Sequence, residues 1–286
     1  MHDIVLIPGD GIGPEITESV TTILDKAGAD INWIECTAGL TAQEELGDPL
    51  PDDTLDAIDK YRLALKGPLT TPVGAGFRSV NVAMRKKFDL YSNIRPAKTL
   101  PHIKSRFDNV DLVMFRENTE GLYIGKEQWV EQDNHAESIA VVTREASKKV
   151  IRAAFEYAKK KGRNKVTLVH KANILKFTCG LFMEVGEEIA KDYPEIEYED
   201  LIVDNMAMQM VMDPQQFDVI VTTNLFGDIL SDLASGLVGG LGLTGAADIG
   251  DDATQRRGRT VALQHPISPG KTDQSHRLSA VVPDDA

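Results

Sequence analysis

Short apolar runs alternate with longer helical stretches along most of this chain, and that alternation narrows the fold more than any single motif. Residues 3–7 (DIVLI), 31–36, 62–66, 111–115, 166–169, 198–203 and 217–222 read as strands, and 138–142 as one more by its alternation. Pro14 starts a helix that runs to about Ala27 with Ile16, Val20, Ile23 and Leu24 on one face. Thr143 caps another, in which Ala146, Val150, Ala154 and Ala158 form a stripe, lysines fill the last turn, and Gly162 ends it. A further helix follows Asn173. Strands that alternate with helices predict an α/β architecture. Residues 69–79 (LTTPVGAGFRS) carry too much Pro and Gly for regular structure and read as a loop.

Charge and composition exclude several classes of function. A net charge of −13 argues against a nucleic-acid partner, which needs a basic stripe. No apolar run approaches the ~20 residues of a membrane span. Two cysteines, Cys36 and Cys179, set no disulfide framework, which suits a reducing, cytoplasmic compartment. Met1 opens directly onto a strand, so no secretory leader is expected.

Against that acidic background three arginines stand out. Arg85 lies in a short helical stretch, Arg95 follows DLYSNI, and Arg116 ends DLVMF. Arginine at a strand end suits bidentate binding of a carboxylate; the alternative is that each pairs with a surface acid. Asp228 and Asp232 in NLFGDILSDLASG are four apart, so one helix face presents both, among Leu225, Phe226, Ile229, Leu230 and Leu233. Two carboxylates in such a setting need a counter-charge, and a hard cation is one; the alternative is an N-cap at Asp228 and a solvated edge at Asp232. Asp204, after YEDLIV, is a third acid of this kind. Lys171 in VHKAN leaves a buried strand and Tyr123 sits in RENTEGLY; each suits proton transfer or an ordinary surface role.

The opening LIPGDGIGPEI resembles a dinucleotide fingerprint but has the wrong spacing for one. With KGPLTTPVGAGFRSVNVAMRK, LYSNIRP, FRENTEGLY, VHKANILKFT and NLFGDILSDLASGLVGGLG, it resembles the metal-dependent β-decarboxylating dehydrogenases that act on isocitrate, homoisocitrate and 3-isopropylmalate. The likeness runs from Asp3 to about Asp252. It implies that family's fold, a large α/β domain and a smaller one with a dimer clasp, and not a Rossmann domain. The expected boundaries are 1–95 with 240–252 for the large domain and 96–239 for the small one. In the family the PGDGIG turn lines the cofactor side of the cleft, where Gly11 and Gly13 would admit a close backbone approach.

The resemblance also implies roles. Ser79, Asn81, Arg85, Arg95 and Arg116 would bind the carboxylates of a 2-hydroxy acid. A small hydroxyl at 79 and an amide at 81 suit a third carboxylate, which favours isocitrate. Thr71, Asn173 and Asn224 would line the cofactor side, with NAD, or NADP, as the hydride acceptor. Tyr123 and Lys171 would serve acid–base steps, and Asp204, Asp228 and Asp232 would ligate Mg²⁺ or Mn²⁺. Lys171 and Asp204 would reach into a neighbouring subunit, implying a homodimer.

Residues 253–286 depart from the family. They show no strand or helix period and read as a disordered extension. Family strings such as HGSAP, DIAGK and NPTA can be recovered in order by shifting the reading frame, which points to a frameshifted tail lacking the adenine-binding loop. A truncated, non-catalytic relic is the alternative of another class.

Overall fold

The computed structural model describes residues 1–72 and 76–251, and the backbone of 258–262. The chain divides into two compact units, Met1–Leu90 with Leu241–Ala286, and Tyr91–Gly240.

The first unit begins β1 (His2–Ile7), α1 (Gly13–Lys26), β2 (Ile31–Glu35), α2 (Leu40–Leu46), α3 (Asp52–Tyr61), β3 (Leu63–Lys66) and α4 (Val80–Lys87). β1 pairs in parallel with both β2 and β3. Val5, Ile7, Ile58, Ala64, Met84, Phe88 and Leu90 form its core. Ile23 departs from the expected helix face and is 65% exposed.

The glycine-rich turn after β1 holds a loop. Asp10 is buried and its carboxylate accepts from Leu40 N (3.0 Å), Thr41 N (3.1 Å), Thr41 Oγ1 (3.2 Å) and Thr70 N (2.7 Å). It therefore caps α2 and pins the segment that carries Thr71. The close approach falls at Gly9 and Gly13, where an added Cβ would lie 2.2 Å from Pro68 O and 2.3 Å from Pro8 O. Gly11, expected to share that role, has open space beside it and is needed for its φ of 59°.

The second unit contains β4 (Ser92–Lys98), β5 (Asp111–Glu117), β6 (Glu127–Glu131), β7 (His135–Ser138), α5 (Arg144–Lys161), β8 (Lys165–His170), α6 (Thr178–Ala190), β9 (Glu197–Ile202), α7 (Val203–Met212), β10 (Val219–Thr222) and α8 (Asn224–Leu237). Five strands order as β4-β5-β10-β8-β9, with β4 antiparallel to β5 and the rest parallel. Alternate residues feed two cores. Val113, Phe115, Val166, Leu168, Val219 and Val221 pack with Val150, Ala154 and Phe155 of α5 and Phe182 of α6. Leu112, Met114, Val169 and Ile220 pack with Met206 and Met210 of α7 and Leu230 and Ala234 of α8. Helices on both faces leave the carboxyl ends of the strands as the place for a ligand.

α5 forms as its sequence predicts: Thr143 accepts from Ala146 N, the apolar stripe is buried, and Gly162 ends the helix at φ 64°. The strand expected at 138–142 does not form. Ser138 closes β7, which pairs with β6 as an exposed hairpin, and Val141 makes an isolated bridge to Gly121.

The chain then returns to the first unit as β11 (Ala247–Asp251) and β12 (Gly258–Ala262). β12 pairs antiparallel with β11 and parallel with β3, giving the order β2-β1-β3-β12-β11. This strand corrects the expectation of no regular structure past Asp252: pairing on both sides supplies order that the local pattern does not signal. The rest of the tail, where most of the strings expected from a shifted reading frame fall, lies outside the described residues. Residues 92–98 go with the second unit because β4 pairs along its whole length with β5.

Candidate active site

Arg116 stands near the end of β5, opposite Thr222 of β10 and Asn93 of β4. It is 1% exposed, so its charge needs partners. Nη1 pairs with Asp228 Oδ1, and Nε and Nη2 donate to Asn224 Oδ1 at 3.0 and 2.7 Å. The guanidinium lies 5.0 Å from the Tyr123 ring centroid, and Tyr123 Oη donates to Asp228 Oδ2. Arg95, also buried, donates from Nε to Asn93 Oδ1 (2.8 Å) and from Nη1 to Asp232 Oδ1 (3.3 Å). One helix turn of α8 thus presents two carboxylates, each holding an arginine.

α8 begins at Asn224, so Asp228 lies inside the helix and does not cap it. The setting is less apolar than expected: Leu230 is buried, Leu225, Phe226 and Leu233 are half-buried, and Ile229 is exposed. The carboxylates therefore face a partly open rim.

A separate pair joins Lys171, just past β8, to Asp204 in the first turn of α7. The bond from Lys171 holds the Asp204 carboxyl below its usual range. Asp204 does not join Asp228 and Asp232 within this chain; among the described residues no group of three or more His, Cys, Asp or Glu could hold a metal ion. Asn173 is exposed on the turn after Lys171.

The other sequence-selected residues lie in the first unit. Thr71 and Ser79 are half-buried. Asn81 and Arg85 share one face of α4, and both are buried. Asn81 Oδ1 is buried without a hydrogen-bond partner among the described residues, an acceptor awaiting a donor. Arg85 Nε pairs with Asp248 Oδ2 of β11 at 3.1 Å, and Asp248 is fully buried. Each of the three arginines is buried and each meets an acid, but the acid at Arg85 is itself buried and not the surface partner considered from the sequence.

Sequence reasoning missed Lys66, which ends β3. It is 1% exposed and its Nζ donates to Gly67 O. Burial lowers its pKa to about 7, with Asp248 opposing the shift and Arg85 adding to it. A charged residue closing the apolar run LALK was the available signal. The unfolded chain binds this proton up to about pH 10.4, whereas the folded chain releases it near 7. Stability should therefore rise with pH between those limits, by about 1.4 kcal/mol per unit at most. Urea unfolding of wild type and Lys66→Met at pH 7.5, 8.5 and 9.5 checks this. The variant should show the flatter profile, and parallel profiles would refute the buried, neutral amine.

The family profile described as isocitrate/isopropylmalate dehydrogenase matches residues 3–267. Isocitrate dehydrogenase [NAD] catalytic subunit 5, mitochondrial, of Arabidopsis thaliana is 48% identical over 247 residues, 86% of this chain and 66% of that protein. The 3-isopropylmalate dehydrogenase of Archaeoglobus fulgidus is 49% identical over 251 residues, 88% of this chain and 75% of the other. A crystal structure of isocitrate dehydrogenase from Methylococcus capsulatus superposes with a TM-score of 0.87 at 56% identity, covering 92% of this chain and 77% of that one. The chain spans about two thirds of the length of the plant relative. All three named relatives are dehydrogenases. On the profile match, the shared fold and these identities, the chain belongs to the isocitrate/isopropylmalate dehydrogenase family.

Proposed function

We propose that this protein oxidatively decarboxylates isocitrate to 2-oxoglutarate, with NAD as hydride acceptor and Mg²⁺ or Mn²⁺ as the bound ion. The observation that carries the reading is the pairing of Arg116 and Tyr123 with Asp228, and of Arg95 with Asp232, on adjacent turns of α8. Asp228 and Asp232 offer hard oxygen donors one turn apart, and Mg²⁺ sites commonly use one or two carboxylates with water and substrate oxygens completing the shell. The donor set therefore fits such an ion, with Asp204 of a second copy as a third ligand. When bound, the ion polarises the substrate hydroxyl and carboxylate, and NAD accepts the hydride.

The chain's own residues do the rest. Arg95 and Arg116 clamp the substrate carboxylates and fix its orientation, and the family resemblance gives Arg85, Ser79 and Asn81 the same kind of role. Tyr123 holds a proton at Oη for the enol carbon, and Lys171 exchanges one at Nζ. The family resemblance gives Thr71 and Asn173 to the cofactor; Asn224, whose amide is spent on Arg116 and Glu120 O, would serve it by holding Arg116. Asp204 is exposed on a helix that also exposes Met208 and Met212, which supports a homodimer in which Lys171 and Asp204 serve the partner's site. Cys36 and Cys179 are free, as a reducing compartment such as the cytoplasm allows. Among the described residues no helix is long and apolar enough to cross a membrane.

A second reading, 3-isopropylmalate as substrate, is favoured by the 49% identity to the archaeal enzyme. Thermal unfolding separates the two. With Mg²⁺, isocitrate at a hundred times its Kd should raise Tm by about 5–10 °C, and 3-isopropylmalate should not. The reverse order would overturn the substrate, and no shift from either would point to a relic. Further protection by NAD would report an intact cofactor side.

A further inference from the structure

We infer that His170 is a positioning residue that fixes the peptide group carrying Lys171, acting through one tautomer of a neutral ring. The inference rests on the acid–base role proposed above for Lys171.

His170 is the last residue of β8 and is 4% exposed. Both ring nitrogens are engaged. Ala172 N lies 2.9 Å from Nδ1. A backbone N–H can only donate, so Nδ1 must present a lone pair. The ring proton then sits on Nε2, which donates to Asp200 Oδ2 of β9 at 2.9 Å. The contact with Asp200 is therefore a hydrogen bond from neutral imidazole, and one tautomer satisfies both bonds.

The Nδ1 bond falls on the peptide unit between Lys171 and Ala172. Its N–H is held by the imidazole. Its carbonyl, Lys171 O, accepts from Ile174 N (3.0 Å) and Leu175 N (2.8 Å). A peptide is planar, so anchoring both its ends fixes its plane and the ψ of Lys171. Thr222 Oγ1 holds Val169 O at 2.9 Å, tying the strand end on the other side. Lys171 leaves β8 from a backbone fixed before and after it, which sets the direction of the stem that reaches Asp204. Asp200 in turn fixes the ring from a neighbouring strand.

Three variants and one spectrum test this. His170→Leu removes both ring bonds and should lower kcat about 100-fold, the scale of a 1 Å misplacement, with the KM for isocitrate within twofold of wild type. His170→Asn keeps an acceptor two residues before the Ala172 N–H, as in an Asx turn, and should recover most of kcat. Lys171→Met should abolish turnover, and adding His170→Leu to it should change nothing further. In the full-length chain labelled with ¹⁵N-histidine, the His170 signals, identified by their loss in His170→Asn, should show the Nε2–H tautomer. Wild-type turnover in Lys171→Met would overturn the role of the lysine itself. Inactive Lys171→Met beside fully active His170→Leu would overturn the positioning role and leave the lysine's intact. A proton on Nδ1 would overturn the positioning role by itself, whether or not any variant folds.

Discussion

Asp228→Ala should cost about 3 kcal/mol of folding stability and abolish the metal dependence of turnover. Arg116 is 1% exposed, and Asp228 is the carboxylate on its Nη1. Removing one partner of a buried ion pair strands the other charge, a loss of about 3–5 kcal/mol. The 21% exposure of Asp228 places the expected loss at the low end. Tyr123 loses its acceptor in the same step. Asp232→Ala provides the contrast. Its carboxylate is 39% exposed, so solvent screens the pairing with Arg95 and the stability change should stay below about 1 kcal/mol. Yet both acids are proposed ligands of one ion, so both variants should weaken Mn²⁺ binding to a similar degree. Urea unfolding and Mn²⁺ titration measure the two quantities separately. If Asp228→Ala bound Mn²⁺ as wild type does, the ligand assignment would be wrong.

Gly227→Ala should raise the KM for isocitrate more than tenfold and destabilise the chain by about 2 kcal/mol. An added Cβ would lie 2.5 Å from Arg116 Cγ and 2.6 Å from its Cβ. The Arg116 Cβ is fixed to a strand paired on both sides, so it cannot move aside as a side-chain tip could. α8 must shift or the guanidinium must leave Asn224 and Asp228. Gly236→Ala on the same helix is the control, because nothing lies within 4 Å of its added Cβ. It should be neutral or stabilising by about 0.5 kcal/mol, with KM unchanged. Equal behaviour of the two variants would remove Gly227 from the site.

How much of this was legible in the sequence depended on the range of the forces involved. α5 was readable because Thr143, the apolar stripe and Gly162 lie within one segment and all describe the same helix. The hairpin of β6 and β7 was not, since every residue in it is exposed and it has no core face to pattern. Local spacing left the three arginines ambiguous for a different reason. The acid that meets Arg85 is 163 residues away, and the acid that meets Arg95 is 137 away. The same distance hid Lys66, whose burial beside Asp248 is set by tertiary packing. β12 escaped notice because its order comes from β3 and β11 rather than from its own residues. The motif residues were legible as residues, and the structure adds their pairing: Arg95 with Asp232, and Arg116 and Tyr123 with Asp228 beside Asn224.

The first unit is sewn together from the two ends of the chain, and this sets an order of assembly. β3 cannot gain its neighbour β12 until Thr260 has been synthesised to meet Leu63. The second unit is one uninterrupted segment, and its strands β4, β5, β10, β8 and β9 pair with one another without any residue downstream of Gly240. On the ribosome it can mature first, while β1, β2 and β3 wait with an open edge. That waiting period exposes a row of unpaired backbone donors and acceptors, and chaperone capture or self-association would strike there first.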